Sequence, residues 1–74
     1  MNTQTIAIQT EFIRLDSLLK LAGLAETGGH AKVMIRGGEI ALNGVTCTER
    51  GKKIRPGDRV TTRDGAEAIE VAAS

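Results

Sequence analysis

The residue types placed to do chemistry in this 74-residue chain are its ten lysines and arginines, and the chemistry they offer is electrostatic. All ten lie between Arg14 and Arg63, a window with five acids (Asp16, Glu26, Glu39, Glu49 and Asp58), so its net charge is +5 although the chain as a whole carries +1. Glu11, Asp64, Glu67 and Glu70 lie outside that window and mask the bias. A basic centre with acidic margins suits a phosphate-binding face. Within it, Lys32 and Arg36 stand four apart, a spacing that weakens a helix by roughly 0.2–0.5 kcal/mol through like-charge repulsion. Arg50-Gly51-Lys52-Lys53-Ile54-Arg55 packs four cations into six residues, with Glu49 the one acid beside them. Thr27-Gly28-Gly29-His30 offers a helix start without bulk, where backbone N–H groups can meet an anion. Each grouping alone also suits an ordinary solvated surface or a permissive loop. Together they point to a partner that carries phosphates.

Other chemistries find no support. His30 has no Ser, Cys or carboxylate at a spacing that makes a triad, and it suits a helix-start or surface role, with a phosphate contact open to it. The acids are scattered, without the paired carboxylates of acid–base work. The stretch from Gly44 to Lys53 has the wrong spacing for a phosphate-binding P-loop, and Ile54 stands where Ser or Thr is needed. Cys47 is the single cysteine. It can form no intramolecular disulfide and belongs to no zinc cluster. No enzyme, metal or cofactor is therefore expected. Residues 1–10 lack the basic start and apolar run of a signal peptide, and no stretch approaches 18 apolar residues. The expected setting is the reducing cytoplasm, without membrane contact.

The aromatic content restricts the mode of binding. Phe12 is the only aromatic residue, and single-strand readers stack bases on several. Binding should rest on charge and shape. A DNA reading is weaker, because no long recognition helix is available for a major groove.

Periodicity sets out the elements that must hold these cations. Ile6, Ile8, Thr10 and Phe12 alternate with polar neighbours, which predicts a strand over about 5–12. Leu15, Leu18, Leu19 and Ala22 fall on one face of a short helix, with Lys20 opposite and Gly23 placed to end it in a left-handed turn. Thr27 can cap a second helix, with Ala31, Met34 and Ile35 inward, Lys32 and Arg36 outward, and Gly37-Gly38 as its stop. The short link between the helices implies that they pack together. From Glu39 the period becomes two. Asn43-Gly44 is a type I′ hairpin signal, Val45 to Thr48 a return strand, and residues 50–53 a basic loop. Pro56-Gly57 suits a type II turn. Arg59 to Arg63 and Ala68 to Val71 are strands joined at Asp64-Gly65. The order is β-α-α-β-β-β-β, in one domain.

Arg14-Leu15-Asp16, Leu24-Ala25-Glu26-Thr27, Ala31-Lys32, Gly38-Glu39-Ile40, Leu42-Asn43-Gly44 and Pro56-Gly57-Asp58 follow one another in the order seen in a known family. Over roughly residues 13–60 the chain resembles the RNA-binding domain named after ribosomal small-subunit protein S-four, also called the αL domain. With its extra N-terminal strand, it looks most like the small free-standing bacterial members. The resemblance implies an α+β fold: two short helices packed on a small curved sheet of four or five strands, with a C-terminal hairpin over about 59–72. It implies binding of structured RNA, ribosomal or transfer, as on the ribosome. The chain is expected to act as a monomer. Carried over by position, Thr27, Lys32 and Arg36 match RNA-facing helix residues. Arg50, Lys52 and Lys53 match the basic loop, and Arg14 and Lys20 match basic or polar positions of the first helix. Gly28, Gly29, His30 and Arg55 complete the expected RNA-binding set. Many members carry Arg where this chain has Gly28, which removes one phosphate contact and leaves a backbone contact in its place. The rivals are a protein-interaction adaptor on a ribosome-associated complex and an accessory subunit of an RNA-modifying enzyme.

Overall fold

Both helices end in glycine, and both endings have one geometry. The computed structural model describes residues 2–74. Helix α1 (Leu15–Leu21) stops at Ala22, after which Gly23 turns left-handed at φ +80°. The Leu24 N–H then reaches the Leu19 carbonyl at 2.9 Å and the Gly23 N–H the Lys20 carbonyl at 3.1 Å. Helix α2 (Gly28–Arg36) repeats this with Gly38 at φ +77°, Glu39 N–H to Met34 O and Gly38 N–H to Ile35 O, both at 3.1 Å. These are paired Schellman closures, which satisfy carbonyls that a helix end otherwise leaves open.

The strands are β1 (Asn2–Ile8), β2 (Ile13–Arg14), β3 (Ile40–Leu42), β4 (Val45–Thr46), β5 (Lys53–Ile54), β6 (Arg59–Thr62) and β7 (Glu67–Ala73). Five form a mixed sheet in the order β1-β7-β6-β3-β4, while β2 and β5 pair as a separate two-stranded ladder. The fold is α+β, two helices on a small sheet. Leu15, Leu18 and Leu19 of α1 and Ala31 and Ile35 of α2 meet Ile40, Val60 and Ile69 of the sheet in one buried cluster. The β3–β4 hairpin turns at Asn43 (φ +50°) and Gly44 (φ +86°), the two positive angles that a type I′ turn demands. Gly57 (φ +98°) follows Pro56 in the turn closed by Asp58 N–H to Arg55 O at 3.0 Å.

Several boundaries differ from the periodicity. The strand expected over about 5–12 is Asn2–Ile8, and it pairs in parallel with β7 from Asn2↔Glu67 to Ile8↔Ala73. Thr10 and Phe12 continue the alternation only formally. They lie in an irregular connection where the Thr10 hydroxyl donates to the Phe12 carbonyl at 2.8 Å. Arg14 precedes the first helix instead of lying within it. The return strand expected over 45–48 ends at Thr46. The expected basic loop contains a strand residue, Lys53, which pairs with Arg14.

Two predictions follow from turn chemistry. At Gly23 an added Cβ would meet nothing within 4 Å, so Gly23→Ala isolates the cost of a left-handed backbone. It should lower stability by about 1–2 kcal/mol, measured as a shift of the urea midpoint at unchanged slope. At the β6–β7 turn the Asp64 carboxylate accepts from the Ala66 N–H at 3.0 Å and the Thr62 hydroxyl at 2.7 Å. The Ala66 N–H, and then the Thr62 hydroxyl, hold its pKa below the ordinary 3.8. A depressed carboxyl pKa contributes stability that is present above the ordinary value and is lost as pH falls through the folded value. Asp64→Asn should therefore flatten the fall of Tm below about pH 4, with little effect on that slope at neutral pH.

Candidate nucleic-acid interface

The first turn of a helix exposes N–H groups that need acceptors. α1 is preceded by Arg14 in extended conformation, with no side-chain cap. Its acceptors come from a segment about 35 residues later: Leu15 N–H reaches the Lys52 carbonyl at 2.9 Å and Asp16 N–H the Arg50 carbonyl at 3.1 Å. The β2–β5 ladder aligns this contact through Ile13↔Ile54 and Arg14↔Lys53. Asp16 completes it. Its buried carboxylate accepts from Arg14 Nη2 at 3.2 Å and Arg50 Nε at 3.3 Å, and from the Ser17 N–H at 2.8 Å. The Arg14 guanidinium lies beside Gly51, 3.5 Å from where a Cβ would stand. The basic loop is thus fixed to the start of α1.

This arrangement sorts the expected binding residues. Arg14, Arg50, Lys52 and Lys53 come together at the N-terminal end of α1. Arg14 and Arg50 each commit one donor to Asp16, and their side chains remain about half exposed, 53% and 41%. Lys53 lies with Nζ 4.9 Å from the centre of the Phe12 ring, a cation–π contact. Lys20 is exposed in the last turn of α1, at the opposite end from the loop, where a cation also suits the helix dipole. Arg55 is exposed and sits beyond β5. Its N–H donates to Asp58 at 2.9 Å, so the Pro56-Gly57 turn positions it and the docked loop does not.

The start of α2 is built by reciprocal bonds. The Thr27 hydroxyl accepts from the His30 N–H at 3.0 Å, and His30 Nδ1 accepts from the Glu26 N–H at 3.2 Å. His30 therefore helps to cap the helix. The sequence offers a signal for this, a hydrogen-bonding side chain three residues after Thr27. A Cβ at Gly28 would meet nothing within 4 Å, and one at Gly29 would meet only the Thr27 hydroxyl oxygen at 3.8 Å. Packing within the fold does not demand glycine at either position. Along the helix, Arg36 is exposed while Lys32 is half-buried at the flank of the inward face. Val33 is 66% exposed on the outer face. Among the described residues neither Lys32 nor Arg36 has an ion-pair partner. α1 joins the two basic regions: its first turn holds the loop and its body packs on α2.

A family model for the S4 domain matches residues 6–72. The chain belongs to the S4 domain family. It is 40% identical over 55 residues to the probable ribosome maturation protein RlbA of Bacillus subtilis (strain 168), covering 74% of this chain and 78% of that one. Small ribosomal subunit protein uS4 of Anaeromyxobacter sp. (strain K) is 31% identical over 62 residues, covering 84% of this chain and 30% of its own length. Among solved structures, heat shock protein 15 of Vibrio cholerae, described as trimeric, superposes with a TM-score of 0.65 at 31% identity, over 78% of this chain and 58% of that one. The chain spans about a third of the ribosomal protein and somewhat over half of the heat shock protein. Five of its ten basic residues lie on α2 (Lys32, Arg36) and on the loop docked at α1 (Arg50, Lys52, Lys53). Asp16, which docks that loop, is absent from the set expected from charge.

Removing the Asp16 charge tests the docking. Asp16→Asn should cost about 1.5–3 kcal/mol, the range for hydrogen bonds to charged groups. Amide exchange at Leu15 and Asp16 should rise above the global rate of the variant. Unchanged protection at those two amides would show that the backbone bonds alone hold the loop.

Proposed function

We propose that this S4 domain binds structured RNA, ribosomal or transfer, in a ribosome-associated role in the bacterial cytoplasm. Recognition is of phosphates and helix shape. The observation that carries this is the pair Lys32 and Arg36: two cations on one side of α2 with no ion-pair partner among the described residues, in a chain whose relatives include a ribosomal protein and a probable ribosome maturation protein.

The contact set is Thr27, Gly28, Gly29, His30, Lys32 and Arg36 along α2, with Arg50, Lys52 and Lys53 on the docked loop. Arg14 contributes its uncommitted donors, and Lys20 and Arg55 extend the margins. An A-form helix is recognised across its minor groove through phosphates and 2′-hydroxyls, mostly by shape. Phosphate contacts set register and carry no sequence information directly. A rigid spacing between helix face and loop is what shape recognition needs, and the Asp16 contacts supply it. One copy carries the whole set, so a monomer suffices, and no catalytic group is called on.

The test is equilibrium binding to a hairpin RNA across a salt series, for the wild type and for Lys32→Ala/Arg36→Ala. Log K for the wild type should fall steeply with log salt, and the double variant should lose roughly one unit or more of slope. Absence of binding at low salt sinks the RNA reading. An adaptor role would then be sought through acidic protein partners, whose capture free RNA would not displace.

A further inference from the structure

Next to the docked loop lies an open groove of about 390 Å³, lined by apolar Leu42 and Val45 and by polar Thr46, Thr48, Glu49 and Lys52. Val45 is apolar yet 70% exposed there. Glu49 and Lys52 line the same groove, and among the described residues neither side chain has an ion-pair partner. Thr46 adds backbone groups. In an antiparallel ladder, bonded and non-bonded residue pairs alternate. Leu42↔Val45 flanks the two-residue turn, Ala41↔Thr46 follows, and Cys47 N–H then bonds the Ile40 carbonyl at 2.9 Å. Thr46 therefore falls in the non-bonded class. Because β4 is the last strand of the sheet, the Thr46 N–H and carbonyl point outward along a free edge.

We propose that this groove takes one unpaired nucleotide of the bound RNA. Its base lies against Leu42 and Val45, its base edge meets the Thr46 backbone and the Glu49 carboxylate, and its phosphate meets Lys52. The inference rests on the RNA-binding reading and deepens it by naming the feature that the RNA must present. Three observations favour this occupant. Lys52 belongs both to the docked loop and to the groove, so a strand held by the loop passes its mouth. A cation, a carboxylate acceptor and a strand edge complement a phosphate and a base edge, whereas a fully paired duplex offers this groove no free base. The volume falls in the range of about 300–1,000 Å³ that small-molecule sites occupy. Glu49, an acceptor only, favours bases with an exocyclic amino donor, as acidic side chains do toward cytosine.

The experiment measures Kd for the full chain with two RNA hairpins at one low salt concentration, one fully paired and one identical but for a single bulged cytidine. The wild type should bind the bulged hairpin about tenfold more tightly, the effect of one well-placed base contact. Val45→Asn, at an exposed position, should move that ratio toward parity. A bulged uridine should bind less well than cytidine, and Glu49→Gln should narrow that difference. In heteronuclear spectra the Val45 methyl and Thr46 amide signals should shift with the bulged hairpin and stay in place with the paired one. If both hairpins bind the wild type equally, or Val45→Asn keeps the full advantage, the groove inference is wrong while the RNA-binding reading stands. If neither hairpin binds, that reading fails and takes this inference with it.

Discussion

The geometry of the basic surface depends on how α1 begins. A helix of seven residues is too short to be stable by itself, since isolated helices under about 12–15 residues are marginal in water. Its first N–H groups have no side-chain cap, and the loop at residues 50–52 supplies their acceptors. A buried carboxylate is costly unless it is paired and hydrogen-bonded. Asp16 meets both conditions through two guanidinium groups and the Ser17 amide. Among the described residues no buried side-chain polar atom is left without a partner. The helix start and the basic loop are therefore one object: whatever frees the loop also uncaps α1.

That coupling explains what could be read from the sequence and what could not. The Asn43-Gly44 turn, the Gly23 and Gly38 helix stops and the Thr27 cap were legible because each is a local demand on backbone angles or on a bond within a few residues. The pairing of β1 with β7 spans some 65 residues, and no local pattern encodes it. Apolar alternation ran past Ile8 into Phe12, whose ring serves Lys53 instead of the core. β5 is two residues long and gains its definition from β2, so its cationic sequence suggested only a loop. The family resemblance supplied the architecture where periodicity could not.

The candidate site was legible in part for the same reason. Lys32 and Arg36 are visible as an i, i+4 pair, and the dense cations of residues 50–55 are visible as composition. The burial of Asp16 was not, because it lies off the Leu15-Leu18-Leu19 stripe and would point to solvent in a bare helix. Its position in the first turn, where an acid suits the helix dipole, was the available signal. His30 was legible as a helix-start or surface residue, but the bond from the Glu26 N–H to its ring was not.

The commitments of its cations limit how this surface can act. Arg14 and Arg50 are held by Asp16, Arg59 reaches Glu70 at 2.9 Å, and Lys53 lies over Phe12. Among the described residues, the cations on the helices and loop without such commitments are Lys20, Lys32, Arg36 and Lys52, so the field of the surface is weaker than ten positive charges suggest. The acids of the C-terminal hairpin are engaged locally, Asp64 in its own turn and Glu70 with Arg59. This explains how a chain of net charge +1 keeps a basic helix face. With few free charges and no aromatic platform, discrimination among RNAs cannot come from phosphate attraction, which is nearly blind to sequence. On the helix face and the loop it comes from a fixed spacing of contacts, and that spacing is set where the loop meets α1.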